Sequence, residues 1–145
     1  MAKVLLWEFG LLGAAIGIAG AALFWIQQAQ ISGDRIWPMP ALVLIEWALL
    51  GFAGMFCAIE SARTGSPRWS AAAWMADGAL LPMAILGGFL IGPMVFLTLL
   101  PLLGAAAIAD WRIGALSFKK LGYSGIGAAV GLVVLLFFIL IAGGL

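Results

Sequence analysis

Four apolar blocks run along the chain, at residues 4–26, 41–59, 71–109 and 125–145, separated by short polar stretches. The first block runs into Gln27, Gln28 and Gln30, then Ser32-Gly33-Asp34-Arg35 and Trp37-Pro38-Met39-Pro40. The second closes on Glu60, Arg63, the Gly65-Ser66-Pro67 breaker and Arg68. The third is interrupted only by Asp77, and Asp110-Trp111-Arg112 and Lys119-Lys120 separate it from the fourth. A helical membrane crossing needs about 20 consecutive apolar residues, so each block predicts at least one. The first block has 23 residues, longer than the roughly 7–15-residue apolar region of a signal peptide, and reads as a true span. Trp7, Trp25, Trp37, Trp69, Trp74 and Trp111 mark block edges, as expected of rings anchored at headgroup level. Trp47 is the exception, deep in the second block.

The third block is too long for one crossing. Its 39 residues would make a helix about 58 Å long at ~1.5 Å per residue, against a hydrocarbon core of about 30 Å. Tilt absorbs only part of that excess. Pro82, Gly87, Gly88, Gly92, Pro93 and Pro101 offer break points. The block is therefore expected to break between Gly87 and Pro93 into halves at 71–91 and 93–109, as two short spans or a re-entrant hairpin. Charge supports the break. With a single crossing, Lys3, Arg63 and Arg68 would oppose Arg35, Arg112, Lys119 and Lys120, three against four. With a return, only Arg35 stays on the far side, six against one. That asymmetry is a positive-inside signal, and it predicts a cytoplasmic N-terminus and an external C-terminus in the plasma (inner) membrane. The expected fold is an all-α polytopic helical membrane protein, one domain over 1–145. It has four to five embedded helices near 4–26, 41–59, 71–91, 93–109 and 125–145.

Composition makes lipid part of the solvent. Hydrophobic residues are 66% of the chain and charged ones 9%, where soluble domains average about 45–50% and about 25%. Mean hydropathy is +1.22. A net charge of +1 leaves no nucleic-acid footprint. The single cysteine, Cys57, excludes an intramolecular disulfide. The chain has no histidine, which removes histidine-ligated haem, chlorophyll and metal sites, and Ser-His-Asp chemistry. No phosphate loop, metal-ligand cluster or paired catalytic carboxylates stand out, so neither enzymatic activity nor a cofactor is expected.

The candidate residues are acids and glycines. Glu46 sits five positions into the second block, a third to halfway across the bilayer, where a carboxylate costs several kcal/mol unless neutral, hydrated or paired. Two readings stay open: a proton or cation relay, or a structural acid, protonated or hydrogen-bonded to a neighbouring helix. Met39, Ala53, Cys57 and Glu60 share its face at 100° per residue. Glu8 lies within reach of the headgroups by snorkelling. Asp77 is expected to cap the main apolar part of the third block. Gly10, Gly13, Gly17 and Gly20 recur at helical spacing, widened by Ala14 and Ala21; Gly51, Gly54 and Ala58 repeat the pattern, as do Gly127 and Gly131. Such faces let helices approach closely, where van der Waals packing drives association in lipid. They predict close packing, within the chain or against a larger partner.

The layout resembles the small membrane subunit of tripartite tricarboxylate transporters. The parts that carry the resemblance are the loop from Gly33 to Pro40, the basic linker from Arg63 to Arg68, and Leu86-Gly87-Gly88-Phe89-Leu90-Ile91 within the long apolar stretch. The resemblance covers nearly the whole chain through order of parts. It implies an accessory subunit bracing a large polytopic transport subunit, with an extracytoplasmic solute-binding protein as a further partner. Substrate chemistry would lie elsewhere. Two other readings remain at this stage: a self-sufficient small homo-oligomeric transporter or channel using Glu46, and a haem-free accessory subunit of a respiratory or photosynthetic complex.

Overall fold

The computed structural model describes residues 2–32, 41–86, 91–114 and 117–142. They form five helices: α1 (Ala2–Ser32), α2 (Ala41–Thr64), α3 (Pro67–Leu86), α4 (Gly92–Arg112) and α5 (Lys119–Ala142). All five are long and apolar enough to cross a membrane, and no strand occurs among the described residues.

The third block resolves into two complete spans. α3 has 20 residues and α4 has 21, each about 30 Å at ~1.5 Å per residue, which matches the hydrocarbon core. The two run antiparallel, since Ser70 in the first turn of α3 bonds Asp110 near the end of α4. Gly92 and Pro93 open α4, in the first turn where a missing N–H costs nothing. Gly87 and Gly88 lie outside the described residues. Pro82 and Pro101 stay inside α3 and α4, a position that membrane helices tolerate.

Helix ends differ from expectation where polar residues join an apolar helix. α1 continues to Ser32, so the three glutamines belong to its last turns. α3 begins at Pro67, with Arg68, Trp69 and Ser70 in its first turn. α5 begins at Lys119, six residues before the apolar run. Gly65 and Gly114 adopt φ of +67° and +66° just beyond the ends of α2 and α4. This left-handed conformation stops a helix at little cost when no Cβ is present.

Glycine faces decide the packing. α2 and α4 lie side by side, with α1 against one side of the pair and α3 against the other, and α5 lies outside α3. Gly10 faces Met55, Gly17 faces Gly51 and Gly20 faces Trp47, which makes α1 and α2 antiparallel. Gly13 meets Leu102 and Gly17 meets Thr98, which places α4 antiparallel to α1 as well. α3 and α5 are parallel and nearly touch: Gly127 lies on the Met75 carbonyl, Gly131 on Ala79 and Gly78 on the Ser124 carbonyl. The core between the layers is filled by Leu44, Trp47, Leu80, Met83, Val95 and Leu102, each at most 2% exposed. Large apolar side chains such as Leu23, Val133 and Phe137 point outward, as suits a surface facing lipid.

Five spans in alternating directions bring the starts of α1, α3 and α5 to the same end as the finishes of α2 and α4. Every Lys and Arg among the described residues, from Lys3 to Lys120, belongs to that end. The gathering of these six cations at one end therefore follows from the observed helix directions.

Candidate functional site

The most polar part of the interior is a seam along α3. Ser70, Trp74 and Asp77 stand four and three residues apart, a spacing that puts them on one helical face. Toward the basic end, Ser70 and Trp74 meet Asp110 of α4, which is completely buried. Ser70 Oγ donates to Asp110 Oδ1 at 2.5 Å, and Trp74 Nε1 donates to Oδ2 at 2.8 Å. Lys120, in the first turn of α5, brings its Nζ to 3.4 Å from Oδ2 and also donates to Ser70 Oγ. Its side chain is 9% exposed and that of Asp110 1%. A buried carboxylate is tolerable when its charge is paired and its lone pairs are occupied. Asp110 meets both conditions, with partners drawn from α3 and α5.

Farther into the bundle the seam changes character. Asp77 is 1% exposed, and neither carboxyl oxygen has a hydrogen-bond partner. It is the eleventh residue of α3, about 15 Å from the start of that helix at ~1.5 Å per residue. Asp77 therefore does not cap its helix; Pro67 opens α3 almost three turns earlier. Gly54 of α2 makes room for the carboxyl, since a Cβ there would lie 2.8 Å from Asp77 Oδ1 and 3.3 Å from a Leu102 methyl. On the α2 and α4 sides the carboxyl meets the Gly54 backbone and Leu102. Unpaired, an ionised carboxylate at this depth costs several kcal/mol, which binding of a proton or a cation would remove.

Glu46 is half-buried on α2, and its Oε2 is enclosed without a partner. Asp77 is the more deeply enclosed of the two acids. Glu8 is exposed on α1. Cys57 is a free, buried thiol within an apolar cluster that includes Ala58, Ala73 and Ala105. Among the described residues no group of three or more His, Cys, Asp or Glu could hold a metal ion.

The centre of the bundle is closed by Trp47. Its indole N–H donates to Thr98 Oγ1 at 3.0 Å, and Thr98 Oγ1 donates in turn to the Met94 carbonyl at 3.2 Å. Its ring lies over Gly20, where a Cβ would come within 2.5 Å of Cη2. The Trp that departed from the interfacial pattern is thus the side chain for which Gly20 makes room. The structure sets Gly17 against Gly51, Gly10 against Met55, Gly13 against Leu102 and Gly20 against Trp47, and brings Gly127 and Gly131 onto α3. Gly54 instead makes room for Asp77.

Five contributors to these contacts were not singled out by sequence: Ser70, Gly78, Thr98, Asp110 and Lys120. Thr98 had a signal, as the lone hydroxyl among the residues of α4. Lys120 and Asp110 had only their charges, which looked like those of an interfacial loop.

Helix length, apolarity and packing define an all-α multi-pass membrane protein. No family model matches the chain, and neither curated proteins nor solved structures include a match to it.

Proposed function

We propose that the protein is a non-catalytic small membrane subunit of a multi-subunit secondary transporter of the tripartite tricarboxylate type. In this reading it sits in the inner membrane with its N-terminus cytoplasmic and braces a larger polytopic transport subunit. An extracytoplasmic solute-binding protein delivers the solute to that larger subunit. The observation that carries the reading is the filled axis. Trp47 seated on Gly20, and Leu102 seated where a Cβ on Gly13 would lie 2.7 Å from its Cγ, occupy the space a solute would need to cross. A bundle packed this way suits a brace better than a conduit, and the layout resemblance points the same way. Co-purification under mild detergent tests it. A stoichiometric larger membrane polypeptide is expected; recovery of this chain as a stable, active unit without partners refutes it.

The enclosed carboxyl of Asp77 supports a second reading, a self-sufficient homo-oligomeric carrier or channel moving protons. The site then centres on Asp77, with Glu46 as the other acid. Purified protein in liposomes would show proton flux that Asp77→Asn abolishes. Flux unchanged in Asp77→Asn and in Glu46→Gln removes this mechanism.

A further inference from the structure

At the basic end, three helices leave a cleft that the polar seam does not touch. It measures about 350 Å³ and is lined by Leu6 and Trp7 of α1, Ile59, Ala62 and Arg63 of α2, and Arg112 of α4. That size falls at the lower end of small-molecule sites, roughly 300–1,000 Å³. We infer that this cleft binds the headgroup of an anionic phospholipid, its phosphate between Arg63 and Arg112 and its first acyl carbons against Leu6 and Ile59.

Charge, depth and shape each favour that occupant. Arg63 is tied to Glu60, with Nη2 at 3.1 Å and Nε at 3.2 Å from the same carboxylate oxygen. That pair leaves the second terminal amine of the guanidinium uncommitted. Arg112 is exposed and makes no ion pair among the described residues. Two arginines and one glutamate sum to +1, the complement of a single phosphodiester charge. Guanidinium groups suit phosphate oxygens because their donors form a planar fork. The cleft lies where α1 starts and where α2 and α4 finish, the level at which headgroups meet the spans. Trp7, 43% exposed, supplies the ring that favours this boundary. Leu6, 2% exposed, forms an apolar floor continuous with a membrane-spanning helix. A free anion or an acidic peptide has no use for that floor. Basic pockets between membrane helices bind anionic headgroups by the same combination of features.

Native mass spectrometry of the full chain tests the inference, with any partner that co-purifies. The protein is exchanged into micelles holding phosphatidylglycerol or phosphatidylethanolamine of identical acyl composition. The wild type is expected to retain phosphatidylglycerol preferentially. Arg63→Gln/Arg112→Gln is expected to lose that preference, by roughly fivefold for each arginine removed. Arg68→Gln/Lys119→Gln removes two cations of the same end outside the cleft and is expected to keep it. Equal retention in wild type and Arg63→Gln/Arg112→Gln overturns the inference. So does an equal loss in Arg68→Gln/Lys119→Gln, which would mean diffuse attraction to the whole basic end. Ala62→Leu narrows the cleft with every charge in place and is expected to weaken retention. If the double arginine variant does not fold, undiminished retention in Ala62→Leu overturns the inference by itself. Displacement of the lipid by millimolar inorganic phosphate would reassign the cleft to a soluble anion and also overturns it.

Discussion

Replacing Lys120 by Met removes the one cation that pairs, among the described residues, with a carboxylate otherwise sealed in the bundle. Asp110 and Lys120 have side chains 1% and 9% exposed, with 3.4 Å between charged atoms. Breaking a buried pair by deleting one member typically costs about 3–5 kcal/mol, because the remaining charge stays buried and uncompensated. Two donors remain here, Ser70 Oγ and Trp74 Nε1, and hydrogen bonds to a charged group contribute about 1.5–3 kcal/mol each. The pair also lies near the start of α5, close to the headgroups. The expected loss for Lys120→Met is therefore about 2–4 kcal/mol. Asp110→Asn leaves a lysine whose flexible stem can carry its ammonium to water, so its loss is smaller, about 1–2 kcal/mol. The double variant removes both charges, keeps an acceptor for Ser70 or Trp74, and should lose only about 1 kcal/mol, since replacing a whole buried pair is often nearly neutral. Titrating detergent-solubilised protein with SDS, followed by far-UV circular dichroism, yields the four stabilities of a double-mutant cycle. Additive single losses, or a Lys120→Met protein as stable as the wild type, would refute the assignment of this pair as the lock between α4 and α5.

Gly20→Ala puts a methyl 2.5 Å from Trp47 Cη2 and should destabilise by about 1–3 kcal/mol. Trp47→Phe should relieve most of that clash, whereas Gly122→Ala, with nothing within 4 Å, should be neutral in the same SDS titration. Gly127→Val would drive a side chain into the Met75 carbonyl. It should separate α5 from α3, read as rapid proteolysis of α5 in micelles while α1–α4 stay protected. In a Cys57→Ala background, Ser66→Cys and Ile91→Cys should react with an impermeant maleimide from opposite faces of sealed vesicles. Labelling from the same face would contradict five spans; the proposed orientation expects Ser66→Cys to react from the cytoplasmic side.

What could be read from the residues, and what could not, divides along local against long-range information. The broken third block was legible because a length of 39 residues exceeds a membrane's thickness whatever the helix touches. Glycine stripes on α1, α2 and α5 were legible because 3.6-residue periodicity is a property of one helix. Which stripe meets which helix was not, and Gly78 has no second glycine at helical spacing within α3 to advertise it. The Asp110–Lys120 pair was hidden for two reasons. Its hydroxyl and indole partners lie 40 and 36 residues away from Asp110. Its own members flank the α4–α5 connection, where charges normally meet water. Asp77 looked like a cap because it precedes a glycine near the start of the third apolar block. Pro67 moves the true helix start back by ten residues, and so turns a terminal acid into a central one.

The placement of Lys120 on the last helix sets an order for biogenesis. As the chain leaves the ribosome, α3 and α4 can pair as a hairpin as soon as both are inserted, but Asp110 then has only two neutral donors. Its cation arrives when α5 emerges and slides along the small-residue face of α3. Until then the hairpin carries an unpaired acid and an open α3 groove, the kind of surface that insertases shield and membrane proteases cut. The fifth helix thus completes the charge balance of a pair of helices made before it.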